Sequence, residues 1–498
     1  MLLTFLLCIP LVVGLVSLFA YPRALLEFLN IAGLAGVLAL GIRLFNVIIA
    51  NHSQALTEWG EFLRADALSA WMVLLISLVS LAAALYAVRY FRRDLIGAAV
   101  TERRVREFYV LTSLFTTGML FVVLTNNLGV MWIALEGTTL ASVLLVALYN
   151  RKTSLEAAWK YVILGGLGMV LALFGTISAY AAAIGKTGGE VVPSFNWSRL
   201  LALAPQLDHR LLGLAFIFAL VGYGTKAGLA PMHTWLPDAH SEAPSPTSAI
   251  LSGVSLKIAV YALLRFHILA TACLGSGLSR NLLVGFGLFS MLLAGPFILV
   301  QTNLKRMLAY SSLEHVGLIC AAVGLNAPLT VLGALLHMGY HALAKPVLFF
   351  AAGNIHQQFH TLNFRGLGPG LARTMPLTAL FLALAAIAVS GLPPFGLFVS
   401  EFTVIAGALT SQHSWVGIVI LTSIIIVFCG VLNKLAGLLL GPGRAEFRRE
   451  AVSASYVAAM SLPLGALLLF TIWLPGSLRQ LAEQAANIIR GLPPGLDQ

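Results

Sequence analysis

Long apolar runs, each close to the length of a bilayer-spanning helix, alternate with short polar connections along most of the chain. A transmembrane helix needs roughly 20 consecutive apolar residues. The segments that approach this length lie at roughly 2–20, 29–50, 66–88, 108–125, 128–149, 158–184, 211–232, 247–270, 281–300, 307–325, 328–353, 376–410, 414–440 and 452–474. This pattern predicts an all-α polytopic membrane protein with about 14 transmembrane helices. The first run has no basic stretch before it, so it is interpreted as a span and not as a cleaved signal.

Two of the segments are interrupted by glycine and proline, and each carries an ionisable residue near the interruption. The first contains Lys226 and Pro231, and the second contains SGLPP at 390–394 followed by Glu401. A proline inside a helix frees the carbonyl four residues earlier, which is Ala227 in the first case. Interrupted helices in corresponding halves are typical of transporters built from inverted repeats. No residue-level identity between the two halves is visible in the sequence.

The composition excludes a water-soluble fold. The chain has 498 residues, of which 59% are hydrophobic and 10% are charged, whereas soluble domains have about 25% charged residues. The net charge of +11 comes from basic residues between apolar runs, which favours an orientation signal and not nucleic-acid binding. The cysteines lie far apart without a Cys-x-x-Cys pair, so neither a metal nor an iron–sulfur cofactor is expected in this chain; they are Cys8, Cys273, Cys320 and Cys429.

Basic residues favour one set of alternate connections. They are Arg89, Arg92, Arg93, Arg103, Arg104, Arg106, Arg151, Lys152, Lys305, Arg306, Arg365, Arg373, Arg444, Arg448 and Arg449. Because cytoplasmic connections are enriched in lysine and arginine, we expect this side in the cytoplasm. With an even number of spans, both termini then lie outside the cytoplasm.

Ionisable side chains inside the predicted spans are the main candidates for function. They are Glu136, Lys226, Lys257, His315, His337, His341, Lys345 and Glu401. A lysine or acid at the centre of a membrane helix costs about 2.5–3.5 kcal/mol, so the five lysine and glutamate residues cost on the order of 13–17 kcal/mol. These groups must therefore pair, line water or be partly neutral.

Structural explanations remain open for some of these residues. Lys257 lies within a dozen residues of a connection and could extend its ammonium to the interface. His315 is equally compatible with a hydrogen-bonded helix contact, and its neighbour Glu314 can face the interface. Glu136 lies several residues from either edge of its segment, where a short side chain cannot reach water.

His337, His341 and Lys345 follow one another at intervals of four residues. At a rise of 1.5 Å per residue they form a ladder of roughly 12 Å along one helix face. Two histidines at this spacing suit a metal, but an ammonium group beside them repels a cation. A haem is disfavoured because no second pair of histidines is suitably placed. A proton relay fits best, since histidine titrates near neutrality and a desolvated lysine releases its proton more readily.

Several stretches resemble one known family. GTKAGLAPMHTWLPDAHSEAPSP, NLKRMLAYSSLEHVG, LLHMGYHALAKPVLFFAAGN and SGLPPFGLFVSEF are similar to the antiporter-like, proton-translocating membrane subunits of complex I and of group 4 membrane-bound nickel–iron hydrogenases. The resemblance extends over about 108–440. MWIALEGTTL and TSLEAAWKYVILGG are most similar to the F-type membrane component of hydrogenase-4.

The resemblance implies a fold and a role for each candidate residue. We expect N-terminal transmembrane helices at 1–107, a core at 108–440 and a C-terminal transmembrane helix with a short tail at 441–498. The core would contain two inverted five-helix repeats, at about 108–270 and 281–440, each with one broken helix. The expected hydrophilic axis begins at a Glu136–Lys226 pair, with Lys257 linking it inward, and continues through His337, His341 and Lys345 to Glu401.

The implied function is proton translocation coupled to electron transfer in partner subunits of a hydrogenase or quinone reductase. The chain itself is expected to hold no redox centre, metal or other cofactor, and its partners are other membrane and peripheral subunits, the lipid bilayer and protons, with sodium possible in place of protons and no nucleic acid. The expected location is the plasma membrane of a bacterium or archaeon. The alternative is a sodium/proton antiporter subunit of the Mrp type; a membrane scaffold without transport fits poorly because the whole charged series is present.

Overall fold

Helices form nearly all of the computed structural model, which describes residues 1–51, 54–184, 195–442 and 454–492. The N-terminal helices are α1 (Leu2–Ser17), α2 (Arg23–Ala50) and α3 (Ala67–Ile96). The first half of the core comprises α4 (Glu102–Leu124), α5 (Leu128–Val146), α6 (Lys152–Ile184), α7 (Trp197–Ala202), a 3-10 turn (Ala204–Gln206), α8 (His209–Ala227), α9 (Trp235–Glu242), α10 (Ser245–Ile250), a π-helical turn (Leu251–Ser255) and α11 (Leu256–Leu274). The second half comprises α12 (Gly277–Val300), α13 (Leu304–Leu325), α14 (Pro328–Phe359), α15 (Phe364–Leu367), α16 (Leu371–Thr374), α17 (Pro376–Val389), α18 (Gly396–Leu409) and α19 (Ser414–Leu439). The chain continues with α20 (Ala454–Ile472) and α21 (Gly476–Ile489).

The described helices confirm the all-α polytopic class. Eleven of them are long and apolar enough to cross a membrane. Helices α1, α17 and α18 are apolar but shorter, and α14 is long but is made more polar by its histidines and lysine. The number of fourteen spans therefore stays a prediction. The strands of the described residues form one small antiparallel hairpin between α2 and α3, made of β1 (Leu56–Glu58) and β2 (Leu63–Ala65), with Leu56 opposite Ala65.

Several helices extend beyond the apolar runs, so many of the basic residues assigned to connections belong to helix ends. Helix α3 continues through Arg93, and α4 already begins at Glu102. Arginine is a good helix former, and its long side chain reaches polar surroundings from the last turn. Arg444, Arg448 and Arg449 lie outside the described residues.

The basic residues that are described meet at one end of the bundle, called here the basic end. The guanidinium of Arg93 donates to Gln358 of α14 at 2.8 Å. Arg306 of α13 and Lys160 of α6 both pair with Asp238 of α9. Arg93 thus joins α3 to α14, and Asp238 joins α6, α9 and α13, so basic residues from separate stretches of the sequence form contacts between helices at this end.

Two matching backbone contacts show the inverted repeat at residue level. Asn127, before α5, forms an isolated bridge with Asn196, and Asn303, before α13, forms one with Asn363. Asn127 and Asn303 also cap the helices that follow them. Helix α4 runs away from the basic end and α12 runs towards it, so the two contacts lie at opposite ends of the bundle. Each half of the core thus has a helix-capping asparagine bridged to a second asparagine.

Both predicted helix breaks are present, but the first has a different cause from the one expected. Helix α8 ends at Ala227, and Gly228 takes a left-handed conformation with φ of +78°. Glycine adopts this conformation without strain, and it commonly ends helices. Pro231 therefore lies in the connection to α9 and not inside a helix. The side chain of Trp235 donates to the carbonyl oxygen of Thr225 at 2.9 Å, which caps the end of α8.

Candidate functional site

The first polar cluster surrounds Lys226 in the last turn of α8. Its side chain is 1% exposed and donates to Thr139 Oγ1 at 2.9 Å and to Tyr161 Oη at 2.6 Å. The hydroxyl of Tyr161 also bonds that of Ser142 at 2.9 Å, and its ring stacks on Trp235 at 4.2 Å. The ammonium group thus meets only neutral hydroxyl partners at hydrogen-bonding distance among the described residues. Such partners can pass a proton without retaining a charge.

Glu136 lies three residues before Thr139 on α5, near Lys226 but not in contact with it. Neither carboxylate oxygen comes within 4.0 Å of the Lys226 ammonium nitrogen, although the two charges act on one another. Oε2 of Glu136 is buried and has no hydrogen-bond partner among the described residues. Glu136 and Lys226, the pair implied by the family resemblance, are thus neighbours that do not form a direct ion pair. Thr139 accepts a hydrogen bond from Lys226 and lies one helical turn from Glu136.

The second cluster begins at Lys257, which does not extend to the interface. Its side chain is fully buried, and Nζ donates to the carbonyl oxygen of Ser252 at 2.8 Å and lies 2.7 Å from Nδ1 of His341. Ser252 belongs to the π-helical turn before α11. A π-helical turn changes the local backbone hydrogen bonding, and such turns are frequent at functional sites.

Three histidines continue the second cluster across α13, α14 and α18. The rings of His341 and His315 are 4.5 Å apart at their centres. Nδ1 of His315 lies 2.9 Å from Nε2 of His337, and Nδ1 of His337 lies 3.0 Å from the hydroxyl of Ser400. Ser400 precedes Glu401, which is 5% exposed. The histidine ladder therefore reaches Glu401 through His315 and Ser400.

Glu401 lies against the break between α17 and α18. A β-carbon added at Gly391 would overlap the Glu401 carboxylate, and the φ angle of Gly391 is +67°. The predicted interruption thus makes space for the acid.

Lys345, the last member of the ladder, contacts α13 and not Glu401. Its ammonium donates to the carbonyl oxygen of Leu308 at 2.8 Å and to Ser311 Oγ at 2.9 Å. The sequence predicted that the axis would run from His337 through His341 and Lys345 to Glu401. In the structure His337 is the histidine next to Ser400 and Glu401, and Lys345 lies to one side of the histidines.

Glu314, for which a position facing the membrane interface was left open, is buried instead. It is 1% exposed, and its Oε2 lies 3.2 Å from Nδ1 of His315. The charges of Lys345 and Glu401 also act with it. The signal was available in the sequence, because Glu314 lies inside a predicted span beside a histidine.

The two clusters do not touch through a direct hydrogen bond among the described residues. Lys226 bonds within the first cluster, and Lys257 bonds within the second. Both are donors, so neither can accept a bond from the other while charged. Lys257 was expected to link the Glu136–Lys226 pair to the rest of the axis, but no direct hydrogen bond joins Lys226 to Lys257.

His315, His337 and Glu401 meet one geometric requirement for a metal. Each offers one ligand atom, and these atoms lie within 4.8 Å of one another. However, Nδ1 of His315 and Nε2 of His337 already face each other at 2.9 Å. The side chain of Lys257 also places a cation beside His341. The donor set suits a metal, but its surroundings favour a hydrogen-bonded chain.

Comparison with known proteins places this arrangement in a family. Residues 125–427 match the family model described as "NADH:quinone oxidoreductase/Mrp antiporter, TM", and this range contains all eight candidate residues. The chain belongs to this family.

Relatives of this antiporter family cover most of the chain. A hydrogenase-4 component F homolog from Methylacidiphilum infernorum is 38% identical over 81% of this chain and 83% of its own length. The N component of the NADH-quinone oxidoreductase from Desulforudis audaxviator is 32% identical over 82% of each chain. A chain of the membrane-bound sulfane sulfur reductase, an archaeal respiratory membrane complex, has the same fold, with a TM-score of 0.86, 23% identity and coverage of 98% of this chain and 97% of its own.

Proposed function

We propose that this chain is a proton-translocating membrane subunit of a respiratory-type redox complex of the hydrogenase or quinone-reductase kind. The observation that carries the proposal is the buried sequence of contacts from Lys257 through His341, His315 and His337 to Ser400, beside Glu401. Groups that bind and release protons are costly in a membrane interior and are expected along proton pathways. The family members named above belong to complexes of this kind.

The geometry of the first cluster supports a mechanism in which the Glu136–Lys226 distance controls the proton. Burial destabilises the charged ammonium, whereas a nearby carboxylate stabilises it. When a partner subunit draws the Glu136 charge away, Lys226 gives a proton to the Tyr161 hydroxyl, which releases its own proton towards Ser142. When the carboxylate returns, Lys226 takes up a new proton from the cytoplasmic side and is charged again. The gap between the two residues is consistent with a pair that opens and closes.

Electrons would move in partner subunits, and this chain would supply the proton path without binding a cofactor. The gap between Lys226 and Lys257 needs a mobile carrier, and water is suited to this because it donates and accepts. The coupling would therefore be mechanical and electrostatic, transmitted through the membrane helices.

Proton translocation in the reconstituted native complex tests the proposal. Lys226→Ala and Glu136→Gln are expected to reduce the initial rate by at least about ten-fold, the range typical of losing a positioned acid or base. Lys152→Ala removes an exposed lysine at the start of α6 and serves as the control. Wild-type rates in both axis variants would rule out the mechanism.

The second candidate is a subunit of a Mrp-type sodium/proton antiporter, which the description of the matching family also includes. The same purified complex distinguishes the two functions. Proton movement that requires an electron donor supports the redox complex. Proton movement driven by a sodium gradient without electron transfer supports the antiporter.

We further propose that the protein lies in the plasma membrane of a bacterium or archaeon with its basic end in the cytoplasm and both termini on the opposite side. The clustering of Arg93, Lys160 and Arg306 at one end supports this orientation. A reporter enzyme active only outside the cytoplasm, fused to the C terminus, should be active. Inactivity there, with activity in a fusion after Val300, would reverse the orientation.

A further inference from the structure

A buried histidine that the axis does not use lies between that axis and the basic end. His240 of α9 is fully buried, and neither ring nitrogen has a hydrogen-bond partner among the described residues. Its ring stacks on Phe349 of α14 with centres 4.9 Å apart. Phe349 follows Lys345 by one helical turn, so the imidazole lies close to the inner end of the axis.

His240 also lies within electrostatic range of two ammonium groups, those of Lys345 and Lys305. Lys305 is 4% exposed and donates to the carbonyl oxygen of Ala243, three residues after His240, at 2.8 Å. The imidazole therefore lies between a lysine of the axis and a lysine near the basic end. Two flanking cations favour the neutral imidazole, which has one donor and one acceptor nitrogen.

On its outer side, Lys305 lies within electrostatic range of Asp94 and Glu242. Asp94 is 9% exposed, and its carboxylate accepts from the hydroxyl of Tyr149 at 2.6 Å and from Nε2 of Gln357 at 2.7 Å. Asp94 and Gln357 are on the last turns of α3 and α14 at the basic end. A largely buried acid near the basic end, a lysine and a histidine thus follow one another towards Lys345.

Further polar atoms lie along the same segment. The hydroxyl groups of Ser245 and Thr247 are buried without hydrogen-bond partners among the described residues. Unpartnered polar atoms are rare in folded proteins and commonly mark a site that binds water or an ion. Both hydroxyl groups belong to the first turn of α10, which follows α9, and the Ser248 hydroxyl of the same helix donates to the carbonyl oxygen of His240 at 3.0 Å. Buried polar groups are costly unless they are hydrogen-bonded.

We propose that Lys305 and His240 form a proton-uptake branch that joins Lys345 to the basic end, with Asp94 at its outer opening. Once Lys345 has passed its own proton into the axis, its neutral amine can accept another. A proton arriving from Lys305 at the acceptor nitrogen of His240 is then matched by release of the proton from the other ring nitrogen to Lys345. The imidazole ends neutral, and a turn of the ring restores its first state. This inference depends on the proposed function, since it supplies protons to the same axis.

Reconstituted complex carrying His240→Phe tests the branch, because phenylalanine preserves the ring and its stacking on Phe349. We expect proton translocation to fall by at least about ten-fold. His267→Phe is the matched control, since His267 of α11 is also fully buried with both ring nitrogens unpartnered among the described residues and lies beside Phe216. A rate in His240→Phe equal to that of the control would overturn the branch.

Chemical rescue separates proton delivery from packing. In His240→Ala, added imidazole should restore translocation, and in Asp94→Asn, added azide or formate should restore it, with rates that increase as the pH on the basic side falls. Absence of rescue in both variants would contradict the proposal, even if both were slow. His240→Phe then serves as a check that assembly is intact, measured by the content of partner subunits.

The Lys226→Ala variant distinguishes failure of the branch from failure of the proposed function. If wild-type complex translocates protons, Lys226→Ala does not, and His240→Phe does, only the branch is wrong. If Lys226→Ala and His240→Phe both match wild type, the proposed function fails with it.

Discussion

Nζ of Lys257 lies 2.7 Å from Nδ1 of His341, so two buried basic groups on different helices share one hydrogen bond. An ammonium can donate to a neutral imidazole, but two cations cannot share this contact. The pair therefore holds at most one excess proton, and in the proposed mechanism that proton moves between α11 and α14. This contact joins the first half of the core to the second.

Removing the donor at this point should interrupt translocation. Lys257→Met retains the length of the side chain and removes its charge and its protons. We expect the initial rate of proton translocation in proteoliposomes to fall by at least about ten-fold, measured with a pH-sensitive dye. Lys152→Met, at an exposed position, should leave the rate unchanged. A normal rate in Lys257→Met would show that the proton bypasses the pair.

Glu314 should contribute to the second cluster, although it was not among the candidate residues chosen from the sequence. Glu314→Gln keeps the shape of the side chain and removes the charge that lies 3.2 Å from His315. Translocation should slow by several-fold or more, because the histidines lose the carboxylate that stabilises a transient positive charge. Glu483→Gln, which removes an exposed acid paired with Arg479, provides the comparison. Equal rates in the two variants would assign Glu314 a packing role.

Gly391 should be required for the position of Glu401. In Gly391→Ala the new methyl group overlaps the Glu401 carboxylate, and the φ of +67° is unfavourable for alanine. We expect translocation to fall about as far as in Glu401→Gln. Gly437→Ala places a methyl group where nothing lies within 4 Å and should have no effect. The prediction fails if the two alanine variants translocate equally well.

A buried ion pair at the end opposite the basic end should make stability depend on pH. Asp66 lies just before α3, outside the membrane-spanning segment, and its oxygens accept from Arg265 at 2.7 and 2.9 Å. Burial alone would raise the pKa of Asp66, but the Arg265 guanidinium prevails, with the net result that the pKa falls from 3.8 to about 2. The stabilisation is present above pH 3.8 and is lost as the pH falls towards about 2.

Asp66→Asn therefore should lower stability by about 3–5 kcal/mol at neutral pH, since it leaves a buried guanidinium without its partner. The difference in Tm between wild type and the variant should shrink below pH 3.8. Glu102→Gln breaks an exposed pair with Arg23 and should cost at most about 1 kcal/mol. A pH-independent difference would mean that Asp66 acts through shape and not through charge.

The cluster of His315, His337 and Glu401 should not retain a metal, because two of its ligand atoms bond one another and a cation lies nearby. Elemental analysis of the purified complex should give the same metal content for wild type and His337→Ala. The metals of partner subunits are common to both samples and cancel. A loss of one equivalent in the variant would show that the cluster is a metal site.

The sequence predicted the class of fold because a bilayer permits few alternatives. Apolar length gives membrane helices, and the cost of charge in hydrocarbon singles out Lys226, Lys257 and Glu401 without any coordinates. The glycine–proline break before Glu401 was also correctly placed, since backbone chemistry is local. The break after Lys226 was assigned to Pro231, because a sequence does not show which of two neighbouring helix-breaking residues acts first.

Which side chains contact one another was decided by the tertiary structure alone. Helical spacing places His337, His341 and Lys345 on one face, but the residues opposite them come from other helices, namely α11, α13 and α18. Only the packing of these helices brings Lys257 to His341, and only packing buries Glu314 and His240. Local periodicity fixes the direction in which a side chain points along its own helix. The distance to a group on another helix depends on how the whole bundle closes.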